Sequence, residues 1–249
     1  MSRAVLVTAG AAGIGLAIAG MFSGRGDRVT VCDVDSAALD RARAAIPGLT
    51  AIKADVADPL SVAALVAEIG RIDVLVNNAG VAGPVGGIET TDPGEWARCF
   101  AVNVHGAFHT IAAAVPAMRA ARGGAIINIS TASTVTGIPG RSAYVASKWA
   151  LEGLTRNLAR ELGPDGIRVN AIRPGFMDTE RMRGIVARIS EESGRSTEAV
   201  EAEALGYISM RTKIQPDEIG ETAWFLASDA ARHVTGQIIG VDGNAEWEG

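Results

Sequence analysis

The sequence predicts a doubly wound α/β fold, in which one parallel sheet of seven strands carries helices on both faces. Seven short runs rich in apolar and β-branched residues recur along the 249 residues, at 4–8, 28–33, 49–55, 72–78, 124–130, 167–174 and 237–243. Six longer helix-like segments separate them, at 14–24, 36–45, 59–70, 93–119, 143–163 and 217–228. Continuous apolar strands with helical crossovers are typical of a parallel sheet buried on both faces.

Each strand candidate is justified by its own residues. In chain order they read AVLVT, RVTVCD, LTAIKAD, IDVLVNN, GAIINIS, IRVNAIRP and QIIGVDG. The chain shows no internal repeat and no linker, so residues 1–249 are predicted to form a single domain. Only the segment 178–215, rich in Arg, Glu, Ser and Met, interrupts the alternation. It is interpreted either as a substrate lid near the carboxyl ends of the strands or as a solvated helix pair.

Composition excludes several classes of protein. Hydrophobic residues make up 48% and charged residues 20% of the chain, which indicates a folded domain. A net charge of −5 gives no counterion-release drive for nucleic-acid binding. Apolar stretches are interrupted by Gly or charged residues before they reach the ~18 residues of a membrane span. The chain also runs from Met1 straight into its first strand, without a charged leader.

The cysteines and histidines predict no metal site. Cys32 and Cys99 fit no zinc or redox spacing, and their lack of a disulfide framework suits a reducing cytosol. His105 and His109 lie four residues apart, but no third ligand is evident. We therefore expect a cytoplasmic protein that binds neither metal, nor membrane, nor nucleic acid.

A glycine-rich turn after the first strand predicts a phosphate-binding site. Gly10, Gly13 and Gly15 surround Ile14, and the turn follows a predicted strand and opens a predicted helix. Glycines allow close approach of a pyrophosphate, and the helix N-terminus offers free N–H groups to it. Asp33 closes the second strand, 18 residues after Gly15. A carboxylate there would bind the adenosine ribose and repel a 2′-phosphate, which predicts NAD over NADP. The alternative is that Asp33 only caps the next helix.

Tyr144 and Lys148, in the stretch YVASK, are predicted to share one face of a helix because they lie four residues apart. A free phenol has a pKa near ~10, and a neighbouring ammonium group lowers it toward the range useful for proton transfer. In isolation the same stretch could equally be an ordinary helix with a buried Tyr and a Lys whose stem packs on the surface.

Together with the glycine turn, the segments NNAG at 77–80, YVASK at 144–148 and RPGFMDT at 173–179 resemble the short-chain dehydrogenase/reductase family. The resemblance runs from the first strand to VDG at 241–243 and implies a single-domain Rossmann fold. It implies four catalytic positions, which are Asn103, Thr131, Tyr144 and Lys148. It implies cofactor contacts from the glycine turn, from Tyr144 and Lys148, and from Asp33, Asp55, Val56, Asn77, Ala79, Gly80, Pro174, Gly175, Met177 and Thr179.

In these roles Tyr144 would be the general acid/base, with Lys148 tuning it and binding the nicotinamide ribose. Asn103 would hold a water of a proton relay, and Thr131 would orient the substrate oxygen.

Two positions depart from the family pattern. Ala9 stands where the family usually has Gly, and we expect Gly10 to take up the backbone strain so that binding survives. Thr131 stands where the family usually has Ser, thirteen residues before Tyr144. Its hydroxyl can still donate and accept a hydrogen bond, while its methyl group narrows the pocket. Ser130 is the alternative, through a one-residue shift, and Ser133 would then be a pocket residue.

The resemblance implies hydride transfer between NAD(H) and a secondary alcohol or ketone. The polar segment 178–215 favours a small polar substrate, such as a sugar, a polyol or a hydroxy acid. Three arginines in that segment, Arg181, Arg183 and Arg188, either attract an anionic substrate or form a solvated helix face. The alternatives are a 3-oxoacyl-thioester reductase of the same family and a non-catalytic regulator that senses dinucleotide. Apolar faces at 99–118 and 143–162 are consistent with the family's dimers and tetramers.

Overall fold

The computed structural model describes residues 2–245 and contains one seven-stranded parallel sheet, in the order β3-β2-β1-β4-β5-β6-β7. The strands are β1 Ala4–Thr8, β2 Arg28–Asp33, β3 Thr50–Lys53, β4 Val74–Asn77, β5 Gly124–Ile129, β6 Ile167–Pro174 and β7 Ile238–Val241. The predicted fold class is confirmed. The third, fourth, fifth and seventh strands are shorter than predicted at one or both ends.

Helices connect all the strands. They are α1 Gly13–Gly24, α2 Ser36–Ala45, α3 Pro59–Ile69, α4 Pro93–Phe100, α5 Gly106–Ala121, α6 Ser133–Thr136, α7 Ser142–Leu162, α8 Glu180–Ser193, α9 Thr197–Gly206 and α10 Pro216–Ala227. A π-helical turn, Ala101–His105, joins α4 to α5. The order of the strands reverses between β1 and β4, and this switch point opens a crevice at the carboxyl ends of the strands.

Alternate side chains of β1 lie in two separate hydrophobic cores, one on each face of the sheet. Val5 and Val7 pack with Phe22 of α1 and Leu226 of α10 on one face of the sheet. Leu6 packs on the other face, in the core that also contains helices α3, α5 and α7. All these side chains are buried, as expected for a strand covered on both faces. The two cores fix the carboxyl ends of β1, β4 and β5 as a rigid platform.

The continuous helix 93–121 is long and apolar enough to cross a membrane by length and composition alone, contrary to the sequence expectation. Helices that line the core of a fold have the same length and hydropathy. Here Ile111, Ala114 and Met118 are buried in the core that α5 shares with α3. These criteria therefore do not by themselves indicate a membrane span.

The segment 178–215 folds mainly as the helix pair α8 and α9, which contact each other. Each helix buries one apolar side chain, Val186 in α8 and Val200 in α9, and most of its other residues are exposed. A single parallel bridge between Met177 and Ile214 ties the ends of the segment together. A lid function for this pair stays a prediction.

Candidate active site

Asn78 holds the glycine turn against the end of β4. Its amide Nδ2 donates to the carbonyl oxygens of Thr8 and Ala9, at 3.1 and 3.0 Å. The Thr8 hydroxyl in turn accepts from the backbone N–H groups of Asn78 and Ala79, both at 3.0 Å. These bonds cross the switch point of the sheet and shape the crevice. The sequence reading singled out Asn77 and missed Asn78, because only the folded chain brings Asn78 beside the turn.

At two positions of the turn there is room only for a glycine, because a larger residue's Cβ would clash with its neighbours. A Cβ on Gly10 would lie 2.6 Å from Val31 Cγ1, and one on Gly15 would lie 2.3 Å from the Ala9 carbonyl oxygen. Gly13 has a φ of +53°, a conformation that favours glycine. Within residues 2–245 no side chain caps the N-terminus of α1, so its first N–H groups face the crevice beside half-buried Ile14. This backbone cradle fits a pyrophosphate group.

The strain in this turn falls on Ala9, so the expectation that Gly10 would absorb it is wrong. Ala9 has a φ of +46°, in the left-handed region, whereas Gly10 is not among the residues with positive φ. Gly10 is needed for a different reason, because a Cβ there would lie 2.6 Å from Val31 Cγ1. Asn78 then holds the Ala9 carbonyl in place.

Ala9→Gly is expected to raise the free energy of unfolding by roughly 1 kcal/mol. Relief of the left-handed alanine is worth about 1–2 kcal/mol, and the extra backbone entropy of glycine in the unfolded chain offsets about 0.4–1 kcal/mol of it. Urea unfolding monitored by circular dichroism measures the difference. Ala12→Gly is the matched control, because Ala12 has a φ of −153° and gains no relief. A destabilised Ala9→Gly protein would contradict this account.

Asp33 is not the cap of the second helix. The Asp35 carboxylate caps α2 by accepting from the N–H groups of Ala37 and Ala38, at 2.9 and 3.1 Å. Asp33 accepts one bond, from the Asp35 N–H at 3.1 Å, and stands at the carboxyl end of β2. Its second oxygen, Oδ2, has no hydrogen bond within residues 2–245. The geometry leaves Asp33 able to bind a ribose.

Asp55 and Val56 stand just beyond the end of β3. Asp55 accepts from the Ala57 N–H at 2.9 Å, and the ring Nδ1 of His109 hydrogen-bonds the Val56 carbonyl oxygen at 2.9 Å. A Cβ on Gly106 would lie 2.7 Å from Val56 Cγ2, so Val56 lies directly against the start of α5. These contacts fix the pair at the rim of the crevice, and its contact with the cofactor stays a prediction.

Asn77 has a structural place inside the fold. It accepts from the Thr110 hydroxyl at 2.6 Å and donates to Asn128 at 2.9 Å, and Asn128 donates to Thr155 at 2.9 Å. All four side chains are buried. This chain of hydrogen bonds ties β4 and β5 to α5 and α7, and so supports the sheet beneath the crevice.

Lys148, Asn103 and Gly80 adjoin one another at the centre of the crevice. A Cβ on Gly80 would lie 3.2 Å from Lys148 Nζ and 3.4 Å from Asn103 Oδ1. Buried Lys148 donates from Nζ to the Ile129 carbonyl oxygen at 2.7 Å, at the end of β5. Tyr144 lies one turn earlier on α7 and is partly exposed. The predicted Tyr–Lys pair therefore spans the wall of the crevice, with the lysine inside.

Asn103 lies in the π-helical turn, a feature that frequently marks functional sites. Its Oδ1 accepts from the Val81 N–H at 2.8 Å, and its Nδ2 donates to the Val81 carbonyl at 3.1 Å and to Ser147 Oγ at 2.9 Å. Asn103 thus links α7 to the loop after β4. Neither the π turn nor these bonds have a signal in the sequence.

The pKa of Lys148 is lowered to about 8, first by burial and second by the nearby Arg181, against a smaller opposing effect of Cys99. The ammonium group is the charged form and burial disfavours it. At neutral pH the lysine still carries its charge, which it loses as the pH rises through about 8.

Ser130 and Thr131 have different partners. Ser130 donates to Glu152 Oε1 at 2.6 Å, and Glu152 also accepts from Thr134 at 2.8 Å and from Arg173 Nε at 2.8 Å. The Ser130 hydroxyl is therefore engaged inside the fold. The Thr131 hydroxyl instead donates to Ser133 Oγ at 3.1 Å. A substrate oxygen can take the place of the Ser133 hydroxyl in this bond. This arrangement favours Thr131 over Ser130 as the substrate anchor.

The segment after β6 closes the far side of the crevice. The Pro174 carbonyl accepts from the Ala132 N–H at 3.0 Å, and a Cβ on Gly175 would lie 2.5 Å from Asp242 Cα. Met177 is buried, and Thr179 caps α8 by accepting from the Met182 N–H at 3.3 Å. These residues connect the helix pair to the platform of strand ends.

Comparison with known proteins agrees with a dinucleotide-dependent oxidoreductase. The family model described as "Enoyl-(Acyl carrier protein) reductase" matches residues 9–244. The chain is 38% identical to cis-4-hydroxycyclohexanecarboxylate dehydrogenase of Sinomonas cyclohexanicum, over 97% of this chain and 95% of that protein. It is 34% identical to a 3-oxoacyl-[acyl-carrier-protein] reductase of Thermotoga maritima, over 97% and 96%. The solved structure of NAD+-bound xylitol dehydrogenase matches with a TM-score of 0.89 at 30% identity, over 97% and 98%.

These matches cover nearly the whole chain. The chain belongs to the short-chain dehydrogenase/reductase family. It is an oxidoreductase that acts on CH–OH groups and their carbonyl counterparts, with a nicotinamide dinucleotide as cofactor.

Proposed function

We propose that the protein is an NAD-dependent dehydrogenase of a secondary alcohol on a small polar molecule, with Tyr144 as its general acid/base. The observation that carries this proposal is the placement of Lys148. Its Nζ is buried, bonded to the Ile129 carbonyl and adjacent to Asn103 and Gly80, one helical turn from Tyr144. Burying an amine in this way is costly, so a structural lysine would more commonly leave its charge in water.

In the proposed reaction, Thr131 hydrogen-bonds the substrate hydroxyl and Tyr144 removes its proton. The ammonium group of Lys148 binds the ribose next to the nicotinamide, one helical turn from Tyr144. Asn103 connects α7 to the loop that follows β4. It also holds the water through which Lys148 exchanges its proton. When bound, the nicotinamide supplies the hydride chemistry. In the reverse direction Tyr144 returns the proton to the carbonyl oxygen.

The NAD preference rests on Asp33, since the cap of α2 belongs to Asp35. Asp33→Ala is expected to raise the ratio of NADP to NAD in kcat/KM by roughly 10-fold or more, because a bound 2′-phosphate no longer faces a carboxylate and NAD loses a charged hydrogen bond worth about 1.5–3 kcal/mol. Steady-state kinetics with both cofactors measures the ratio. Asp35→Ala is the control, expected to lower stability and leave the ratio unchanged. An unchanged ratio in Asp33→Ala would remove the basis for NAD preference.

A panel of alcohols and ketones tests the proposed function itself. Secondary alcohols of the sugar, polyol and hydroxy acid classes, with NAD, should produce reduced nicotinamide measurable by its absorbance. Turnover only of 3-oxoacyl thioesters with NADPH would instead support the second candidate, which the Thermotoga maritima relative favours. Tight NAD binding without turnover of any compound would identify a dinucleotide-sensing regulator.

Assembly and location complete the proposal. α5 and α7 form an apolar groove in which Phe108 is 56% exposed and Leu154 and Leu158 are half-buried. We propose that these faces pair between copies in a dimer or tetramer, which size-exclusion chromatography with light scattering tests. Both cysteines are buried and free, which suits a reducing compartment, and we propose a cytoplasmic location.

A further inference from the structure

Arg141 stands at the start of α7, three residues before Tyr144, and no motif in the sequence singles it out. Its guanidinium carbon lies 5.4 Å from the centre of the Tyr144 ring. Its Nη2 donates to the Ala82 carbonyl oxygen at 3.0 Å, in the loop after β4. The guanidinium group is thus held beside the residue that is proposed to move the proton.

One donor of Arg141 is buried and has no partner among the residues that the structure describes. This donor is Nε. Buried donors in folded proteins are nearly always paired, and arginine presents its donors as a planar fork that matches a carboxylate. An unpaired buried donor beside an active-site tyrosine therefore points to an acceptor supplied by a ligand.

The charge of Arg141 also lacks a partner. Within residues 2–245, neither Arg141 nor Arg181 forms an ion pair, whereas Arg183 pairs with Asp178 at 3.1 Å. Burial lowers the pKa of Arg141. Repulsion by Arg181 and Arg188 lowers it further, and attraction by Tyr144 and Cys99 opposes these effects. The charges of Arg141 and Arg181 repel each other, and an anion that binds beside them relieves this repulsion.

We propose, on the basis of the function proposed above, that the substrate is a small secondary alcohol bearing a carboxylate or sulfonate, and that Arg141 binds this anionic group. Arg181, in the first turn of α8, supplies the second positive charge. The short distance between Arg141 and the Tyr144 ring requires the anionic group and the reacting carbon to lie on the same small molecule. The other two arginines of the segment have carboxylate partners, since Arg183 pairs with Asp178 at 3.1 Å and Arg188 pairs with Glu192 at 3.7 Å.

The loops around Arg141 suit the carbon frame of such a molecule. The Gly86 N–H donates to the Gly140 carbonyl at 3.0 Å and so joins the loop after β4 to the loop that precedes α7. The apolar side chains of Val85 and Ile138, each next to this junction, are 59% and 45% exposed. A carrier protein would engage exposed arginines, whereas the unpaired Nε of Arg141 is buried.

Paired substrates that differ only in charge test the proposal. 4-Hydroxycyclohexanecarboxylate and its neutral carboxamide are compared as substrates with NAD. In Arg141→Met, kcat/KM for the acid is expected to fall roughly 100-fold, mainly through KM, while that for the amide changes less than about threefold. Arg141→Lys keeps a charge without the planar fork and should retain about a tenth of the activity on the acid.

Two further variants separate the anion site from folding effects. Exposed Arg181→Met is expected to lower kcat/KM for the acid by roughly 10-fold, and Arg183→Met, on the same helix, is expected to leave it unchanged. Thermal unfolding and NAD affinity should match those of the wild type in each variant. These measurements exclude misfolding as the cause of the loss in Arg141→Met.

The outcomes distinguish the two proposals. Equal losses on acid and amide would show that Arg141 only positions Tyr144, and a wild-type preference for the amide would also overturn the anion site. If neither compound is turned over, the proposed function is tested by the wider alcohol panel. The anion site is then decided by calorimetry of cyclohexanecarboxylate and cyclohexanecarboxamide with the enzyme–NAD complex. Tighter binding of the acid, lost in Arg141→Met, supports the site, and equal binding overturns it.

Discussion

Tyr144→Phe is expected to lower kcat by about 1,000-fold, within the range of about 10²–10⁴ that a positioned proton donor or acceptor contributes. The substitution removes one hydroxyl at the partly exposed end of the crevice, and it leaves the glycine turn, Asp33 and Lys148 in place. NAD affinity should therefore stay within about twofold of the wild type, since the hydrogen bonds of the cradle do not involve Tyr144. Steady-state kinetics and calorimetry measure the two quantities.

The loss should appear with every substrate that the wild type accepts, because the proton is common to all of them. An unchanged unfolding midpoint would show that the fold is intact. A kcat close to that of the wild type would remove Tyr144 from the mechanism. A parallel loss of NAD affinity would mean that the residue serves binding.

Glu152→Ala is expected to lower the free energy of unfolding by about 3–5 kcal/mol, the usual effect of removing one partner of a buried ion pair. Glu152 is 1% exposed and accepts from Arg173, Ser130 and Thr134. Its loss leaves the Arg173 charge and two hydroxyl donors without their acceptor at the ends of β5 and β6. Chemical unfolding measures the change, and exposed Glu161→Ala, on the same helix, is the control expected to stay within about 0.5 kcal/mol.

The same carboxylate makes part of the stability depend on pH. Burial alone would raise the pKa of Glu152, but hydrogen bonds from Arg173, Ser130 and Thr134 outweigh it and lower the pKa. A lowered folded-state pKa means that the contribution is complete above the unfolded value of about 4.3 and is lost as the pH falls through the folded value. The stability difference between wild type and Glu152→Gln should thus be largest near neutral pH and shrink in acid. A difference independent of pH would contradict the charge-based explanation.

Local patterns were enough to predict the sheet, because strand periodicity and glycine turns act over a few residues. β1, β2 and β6 have the predicted bounds, and Tyr144 and Lys148 lie on one helix as their spacing indicates. The conformation of Ala9 could not be predicted in the same way. It depends on Asn78, which holds the Ala9 carbonyl from the neighbouring strand.

Long-range contacts explain the other differences. The choice between Ser130 and Thr131 depends on Glu152, 22 residues from Ser130 in sequence, whose place beneath β5 appears only when α7 packs on the sheet. In the sequence, Arg141 looks like any polar residue before a helix. In the structure, the carbonyl of Ala82, 59 residues earlier, holds it beside Tyr144. Sequence motifs were enough to predict an oxidoreductase. The groups proposed to select the substrate depend on how loops from different strands meet.

The transfer of hydrogen from a substrate carbon to the cofactor tests the central claim most directly. A secondary alcohol deuterated at the carbinol carbon is incubated with the protein and NAD, and the reduced cofactor is analysed by mass spectrometry. We expect the wild type to yield NADH that carries one deuterium, and Tyr144→Phe to yield about 1,000-fold less in the same time. Reduced cofactor without deuterium, or equal deuterium transfer by Tyr144→Phe, would contradict a dehydrogenase that uses Tyr144 as its acid/base.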